Sequence, residues 1–322
     1  MYLSSRRGEL VQRIDELIGN TPIIKINRLT ELGDAELYVK LEAYNPSGSI
    51  KDRAAHNMIV QAEQGGRLQQ GSTIIEVTSG NTGIGLAMNA AVRGYKAIFI
   101  MPDSMSRERI SLLKAYGAEV ILFPAADGVE GGVRIANELK VSIPHSYIPN
   151  QFENVANPDA HRITTAIEIW EQLEGRLDAF VSTAGTGGTI TGVGGKLKQL
   201  KTDIQVIAVE TINSPVLFSG GEPGPHQIPG TSPGFIPPIL NRDVIDEVLQ
   251  IEDEAAWQTA RELARKEGIL VGPSSGAAVW AGLQVARKLG QGKRVLCIAP
   301  DTGERYLSLG LFDEPEVIEV SG

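Results

Sequence analysis

The sequence is short of the residues on which secreted and metal-binding proteins rely. Its single cysteine, Cys297, excludes an internal disulfide and any multi-cysteine metal site, and within the apolar run 295–299 it reads as a buried small hydrophobe. The histidines, His56, His145, His161 and His226, are scattered without metal-ligand spacing. No metal is expected, and each reads as surface or satisfied core. Basic residues are the minority: 30 Lys and Arg against 39 Asp and Glu leave a formal charge of −9, the wrong sign for gripping a nucleic-acid backbone. No apolar run approaches the roughly 18 residues of a membrane span. The opening Met1-Tyr2-Leu3-Ser4-Ser5-Arg6-Arg7 lacks the apolar centre of a signal peptide, so a cytoplasmic location is expected.

What is present is alternation. Short β-rich apolar runs at 37–41, 73–77, 97–101, 120–123, 179–182, 206–209 and 295–299 read as strands. Between them lie segments with helical apolar spacing, such as 106–116, 131–139 and 253–267. Strands separated by such helices imply parallel sheets with crossover helices, hence an α/β fold. There is no internal repeat and no low-complexity tract. The one shift in composition is 219–238, where glycine and proline make up about half of the residues and a loop is expected. A loop of that length within a compact enzyme is more often functional than idle.

Two glycine-rich turns each join a strand end to a helix start. They are Thr78-Ser79-Gly80-Asn81-Thr82-Gly83 and Gly185-Thr186-Gly187-Gly188-Thr189. Free N–H groups, glycines that permit close approach and threonine hydroxyls together make an anion cradle. The second turn suits a phosphate monoester, and the first a carboxylate or ring oxygen. Each is equally compatible with a tight connection that binds nothing. Neither completes a dinucleotide fingerprint with its acidic residue. Gly195-Lys196 is followed by Leu197, so there is no Walker motif.

A third stretch, Asn45-Pro46-Ser47-Gly48-Ser49-Ile50-Lys51, sets a lysine at a strand-to-helix junction where its stem can be buried. Gly272-Pro273-Ser274-Ser275-Gly276 matches Gly-x-Ser-x-Gly in form, but no histidine follows the serine, as a hydrolase of that fold requires. Ser274 is instead expected to cap the helix over 277–286 and to offer its hydroxyl to a ligand. Asp52/Arg53 and Glu108/Arg109 read as ordinary helix charges.

Together these motifs, in this order, resemble the cysteine synthases (O-acetylserine sulfhydrylases), pyridoxal-phosphate enzymes of fold type II. The similarity runs from Ile18-Gly19-Asn20-Thr21-Pro22 to Asp301-Thr302-Gly303-Glu304-Arg305-Tyr306, nearly the whole chain. The resemblance implies two α/β domains, each with a twisted, mostly parallel sheet flanked by helices. A smaller mobile domain would span 45–152, and a larger one 21–44 and 153–322, with 1–20 packing against one of them. It implies that Lys51 holds pyridoxal phosphate as a Schiff base and is the catalytic residue. A desolvated amine has a lowered pKa and serves as nucleophile and base. Gly185, Thr186, Gly187, Gly188 and Thr189 would hold the phosphate, Asn81 the ring hydroxyl, and Ser274 the ring nitrogen. Thr78, Ser79, Gly80, Asn81, Thr82, Gln151 and Gly230 would bind the substrate. A neutral hydroxyl at the ring nitrogen leaves a weaker electron sink than an acid does, which favours β-replacement over transamination or racemisation.

The implied activity converts O-acetyl-L-serine and sulfide into L-cysteine and acetate through an α-aminoacrylate. The implied partners are a second copy of the chain and the C-terminal peptide of serine acetyltransferase. Where the family commonly has Gly-Ile-Gly-Ala-Gly, this chain has Gly230-Thr231-Ser232-Pro233-Gly234, a departure at the expected substrate entrance. An O-phosphoserine user would want a cation there, and 219–238 contains no Arg or Lys and only His226. The acetyl ester is therefore favoured. Cystathionine β-synthase and O-phosphoserine sulfhydrylase are the enzyme alternatives, and a partner-binding homologue without turnover is the non-enzymatic one.

Overall fold

The computed structural model describes residues 10–78 and 80–313. Ten strands are present among them: β1 Ile23–Lys25, β2 Glu36–Leu41, β3 Thr73–Val77, β4 Lys96–Pro102, β5 Glu119–Phe123, β6 Ser146–Tyr147, β7 Ala179–Thr183, β8 Gln205–Thr211, β9 Glu247–Ile251 and β10 Arg294–Ala299. They form a six-stranded sheet in the order β1-β2-β10-β7-β8-β9 and a four-stranded sheet in the order β5-β4-β3-β6. Every pairing is parallel except β1 with β2. All seven strands expected from apolar runs are found. The three that were not expected, β1, β6 and β9, lie at sheet edges, where one flank is free and no continuous apolar run is needed.

The helices are α1 Lys51–Gln64, α2 Asn81–Arg93, α3 Arg107–Ala115, α4 Gly128–Ser142, α5 Ala156–Ala160, α6 Ala166–Gln172, α7 Gly188–Leu200, α8 Asp253–Glu262 and α9 Pro273–Leu289. A π turn, His161–Thr165, joins α5 to α6. Alternation along the central strands sends side chains into a core on each face of a sheet. On the larger sheet Val39, Val181 and Val295 pack with Ala277 and Ala281 of α9, while Phe180, Leu296 and Ile298 pack with Ile169 of α6 and Ile190 and Val193 of α7. On the smaller sheet Ile74, Phe99 and Met101 meet Met58 of α1 and Leu86 of α2, and Ile75, Ile98 and Ile100 meet Ala136 of α4. Cys297 is buried in the first of these cores. Residues 212–241 contain no helix or strand apart from β-free turns, as expected for the Gly/Pro-rich stretch. Among the described residues no helix is long and apolar enough to cross a membrane.

One expectation needs correction. Ser274 does not cap α9: the cap is Gly272, and Pro273 is the first helical residue. Proline's fixed φ and missing N–H suit that first position, which moves Ser274 into the opening turn.

Candidate active site

The ends of β2, β3, β7 and β10 gather the chemistry, at the carboxyl edge where parallel α/β sheets bind their ligands. After β2, the Gly48 N–H donates to the Asn45 carbonyl at 2.8 Å. Asn-Pro-Ser-Gly supplies the residues that favour such a four-residue turn, and Gly48 has φ +88°. Asp52 locks the turn: it accepts from the Ser47 N–H at 2.6 Å and from the Ser47 hydroxyl. Burial pushes the Asp52 carboxyl up to about 6, against the pull of those bonds. Lys51, half-buried as a residue, follows as the first residue of α1. Its amine makes no hydrogen bond or ion pair with a described residue. Burial lowers its pKa, with the Asp301 charge opposing.

Asp52 and Arg53 are not ordinary helix charges, because both are buried. The Arg53 guanidinium is paired with Glu42 at 2.7 Å and with Glu168 at 2.6 Å, so the start of α1 is tied to the end of β2 and to α6. Only paired charges are stable at such depth.

After β3, Gly80 caps α2 and Asn81 opens it. Thr82 donates its hydroxyl proton to the Gln151 side chain at 2.6 Å, which brings together two of the expected substrate residues. Thr78 is buried, and its hydroxyl accepts from the Gly80 N–H at 3.4 Å. Ser79 lies outside the described residues. Glu76, buried in β3, accepts from the Asn150 N–H at 2.8 Å and from the Gln151 N–H, and burial raises its carboxyl to about 8. It thereby fixes the backbone that carries Gln151.

After β7, Gly187 with φ +81° turns the chain into α7. Each glycine here is required by a close approach. A β-carbon on Gly185 would collide with the Gly230 carbonyl, one on Gly187 would lie 2.8 Å from Leu240, and one on Gly188 would collide with the Asn157 amide. Asn157 was not anticipated. It donates to the Gln151 carbonyl at 2.9 Å and to the Thr186 hydroxyl at 3.0 Å, and so couples the two glycine-rich turns. His161, in the π turn, bonds Thr165 at 3.0 Å through Nδ1 and lies 3.3 Å from the Thr189 hydroxyl through Nε2. It is a satisfied core histidine, kept neutral first by burial and then by the nearby charges of Arg53 and Lys51. Lys51 thus lies within electrostatic reach of His161, whose ring also reaches Thr189 of the second glycine-rich turn.

The wall opposite is built by the segment after β10 and the start of α9. Asp301 accepts from the Asn81 amide at 2.7 Å and from the Tyr306 hydroxyl at 2.6 Å. The Arg305 guanidinium donates to the Asn81 side-chain oxygen and to the Ser47 carbonyl. Ser274 is buried, and its hydroxyl makes no hydrogen bond to a described residue. The neighbouring Ser275 hydroxyl is buried without a partner. Asp301, Arg305 and Tyr306 stand at the end of the motif series, but nothing in their types distinguished them from surface charges.

Of the departing segment, Thr231 and Ser232 are buried, Pro233 and Gly234 are partly accessible and Gly230 is exposed. Ser232 has φ +42°, an unusual conformation for a residue with a side chain. Its N–H donates to the Ala184 carbonyl at 2.9 Å. His226 accepts from the Ile228 N–H at 3.2 Å through Nδ1 and lies 3.2 Å from the Ser232 carbonyl through Nε2, so both ring nitrogens are engaged.

Comparison with known proteins bears on this geometry. Residues 14–301 match the family described as pyridoxal-phosphate dependent enzyme. The chain belongs to the pyridoxal-phosphate dependent enzymes. A Bacillus subtilis relative described as "probable cysteine synthase" is 60% identical over 307 residues, 94% of this chain and 98% of that one. The crystal structure of a cysteine synthase from Entamoeba histolytica superposes with a TM-score of 0.93 at 42% identity, covering 98% of this chain and 95% of that one. An O-acetylserine dependent cystathionine β-synthase from Helicobacter pylori gives 0.88 at 41% identity, covering 94% and 99%.

The residues fit the family's cofactor, pyridoxal phosphate. A lysine amine without a partner among the described residues stands ready for an aldehyde. The glycine turn leaves no room for β-carbons at the start of α7, and a helix start is where backbone N–H groups can meet a phosphate, although the Gly188 N–H already donates to the Thr186 hydroxyl at 3.3 Å. The Ser274 hydroxyl is unclaimed on the opposite wall.

Proposed function

We propose that this protein is a cysteine synthase that converts O-acetyl-L-serine and sulfide into L-cysteine and acetate, with Lys51 as its catalytic residue. The observation that supports this is the Lys51 amine, desolvated and without a hydrogen-bond or ion-pair partner among the described residues, its charge felt by His161, whose ring reaches Thr189 of the nest 185–189.

In this reading Gly185, Gly187, Gly188 and the hydroxyls of Thr186 and Thr189 hold the phosphate. Asn81 offers its ring contact through its second amide N–H, since the first is given to Asp301. Thr78, Ser79, Gly80, Asn81, Thr82, Gln151 and Gly230 bind and orient the amino-acid substrate. When bound, the cofactor supplies an electron sink for the carbanion at the substrate Cα. The Lys51 amine takes the Cα proton and its ammonium later returns it; burial, by lowering the pKa, favours the neutral form that accepts the proton. Ser274 meets the ring as a neutral hydroxyl, so proton removal is best coupled to departure of acetate from Cβ.

Acetate rather than phosphate as leaving group is supported by the absence of Arg and Lys from 219–238 and by His226 being bound on both nitrogens. The division into 45–152 and 21–44 with 153–322 follows the two sheets, since β3 to β6 all fall in the first range. Packing of residues 10–20 against the smaller unit is supported by the pairing of Asp15 with Arg93 of α2 at 2.9 Å; residues 1–9 lie outside the described residues. A cytoplasmic homodimer is part of the proposal, supported by the exposed apolar side chains of Ile14, Leu17 and Ile163. The C-terminal peptide of a serine acetyltransferase would present its carboxylate to the 78–82 turn.

The test is visible absorbance of the purified, cofactor-loaded protein. O-acetylserine should change the spectrum, and sulfide should restore it with release of cysteine. An unchanged spectrum refutes the reading, while a preference for O-phosphoserine, or for homocysteine over sulfide, refutes the choice of substrates.

A further inference from the structure

Asp301 has no part in the chemistry above, yet it is built into the pocket from several sides. Its backbone pairs with Ser49, and the Ile50 N–H donates to the Pro300 carbonyl at 2.8 Å. The residue is thus pinned beside the turn that presents Lys51. It is 1% exposed. Oδ2 is claimed by Asn81 and Tyr306, whereas Oδ1 is buried with no partner. Oδ1 packs against Gly272, where a β-carbon would lie 2.5 Å from it, just ahead of Ser274. A buried acceptor without a donor is costly, and such groups mark a function. Other polar groups nearby without a partner among the described residues are the Ser274 and Ser275 hydroxyls, which carry no charge, and the Lys51 amine, which can.

The charged and titratable groups that face Asp301 are Lys51 on α1, Arg109 on α3, and Arg305 and Tyr306 on the segment 303–309. Lys51 in turn faces Asp301 and the neutral His161. Arg305 is already engaged by Asn81 and Ser47. Burial raises the Asp301 carboxyl's own pKa, opposed by the bonds from Tyr306 and Asn81 and by the charges of Arg305 and Arg109. Of the cations facing it, a lysine is the type that can lose its proton, so Lys51 is the one whose form Asp301 can bias.

We propose that Asp301 is a positioning residue of the lysine pocket: Oδ2 sets the Asn81 amide, and the carboxylate is the counter-charge that favours the ammonium form of free Lys51. The inference rests on Lys51 as the proton-carrying residue. It assigns the balance between the amine's two tasks, since the neutral form attacks an aldehyde and the ammonium form returns a proton.

The experiment acylates the amines of the full-length chain, freed of cofactor, with a limiting reagent at a series of pH values. Lys51 modification is followed by peptide mass spectrometry, with the other lysines as reference. Removing a nearby opposite charge that favours the ammonium form lowers an amine pKa, by about 1 unit or more for a close pair. Asp301→Asn should therefore move the Lys51 midpoint down by about 1 pH unit, with labelling about tenfold faster below both midpoints. Asp301→Ser should do the same where the asparagine amide crowds Gly272. A merely structural role would not shift this midpoint selectively. An unmoved or raised Lys51 midpoint in both variants overturns the proposal. The labelling needs no substrate, so a failed O-acetylserine assay and a failed midpoint shift are separate results.

Discussion

Replacing Arg53 with methionine probes how the lysine-bearing helix is held in place. The guanidinium donates through Nε to Glu42 at 2.7 Å, through Nη1 to Glu168 at 2.6 Å, and through Nη2 to Glu42 at 2.9 Å and Glu168 at 2.7 Å. Lys40 completes the cluster on Glu168 at 2.9 Å, so two cations balance two carboxylates away from water. Methionine fills much of the space but leaves two buried carboxylates with one ammonium. Breaking a buried pair from one side costs about 3–5 kcal/mol, a large part of the roughly 5–15 kcal/mol that stabilises a domain. Urea unfolding should show that loss, and adding Glu42→Gln should recover about half of it by restoring the charge balance. The pH dependence has a definite sign. Burial alone would raise the Glu42 and Glu168 carboxyls, but Arg53 holds both below the usual 4.5. Their contribution is therefore present above pH 4.5 and is lost as pH falls through the lowered values. In the variant burial prevails, the carboxyls rise, and stability is lost as pH increases instead. The gap between the two proteins should narrow from neutral pH toward pH 4. A cost below about 1 kcal/mol, or a gap indifferent to pH, refutes the reasoning.

Gly188→Ala should weaken pyridoxal-phosphate binding at least about tenfold in a fluorescence titration, a cost in the range of overpacking a tight site, because its β-carbon would displace the Asn157 amide. Gly195→Ala in the same helix, where the nearest atom would be 3.7 Å away, should leave the affinity unchanged. Glu76, with its carboxyl raised from 4.5 to about 8, is protonated in the fold across a range where the unfolded chain is ionised. It therefore lowers stability by about 1.4 kcal/mol per pH unit between those values. Glu76→Gln lacks this slope, so its stability relative to the parent should rise steadily from pH 5 to 8 in chemical denaturation; a constant difference would remove the buried acid from the account.

The parallel core was legible because β3, β4, β7, β8 and β10 are covered on both faces and so appear as unbroken apolar runs. The edge strands β1 and β9, half open to water, leave no such trace. The turn Asn45–Gly48 was legible from its residue types, since proline and glycine have few alternatives there. Arg53 was not. An adjacent Asp-Arg pair normally lies on a solvated face, and what buries this one is Glu42 and Glu168, 11 and 115 residues away. Asn157 and Asp301 were hidden for the same reason: an amide that bridges two loops acquires its meaning only when the loops meet. Ser274 was expected as the cap of its helix but is its second residue, two positions further in, because proline takes the first helical position.

Lys40 and Lys51 show why depth alone does not make a reactive lysine. Burial lowers the pKa of both amines, yet only one is available for chemistry. Lys40 gives its protons to the Thr21 carbonyl at 3.1 Å, the Gln172 side chain at 2.9 Å and Glu168 at 2.9 Å. An ammonium has three donors, and here all are spent, so taking one proton away leaves an acceptor stranded. Lys51 has no such partners among the described residues, and the carboxylate that senses its charge is already bonded elsewhere through one oxygen. Losing or regaining a proton at Lys51 therefore breaks no hydrogen bond of the fold. That freedom, next to a glycine nest for an anion, separates a lysine that can exchange protons with a substrate from one that holds two segments together.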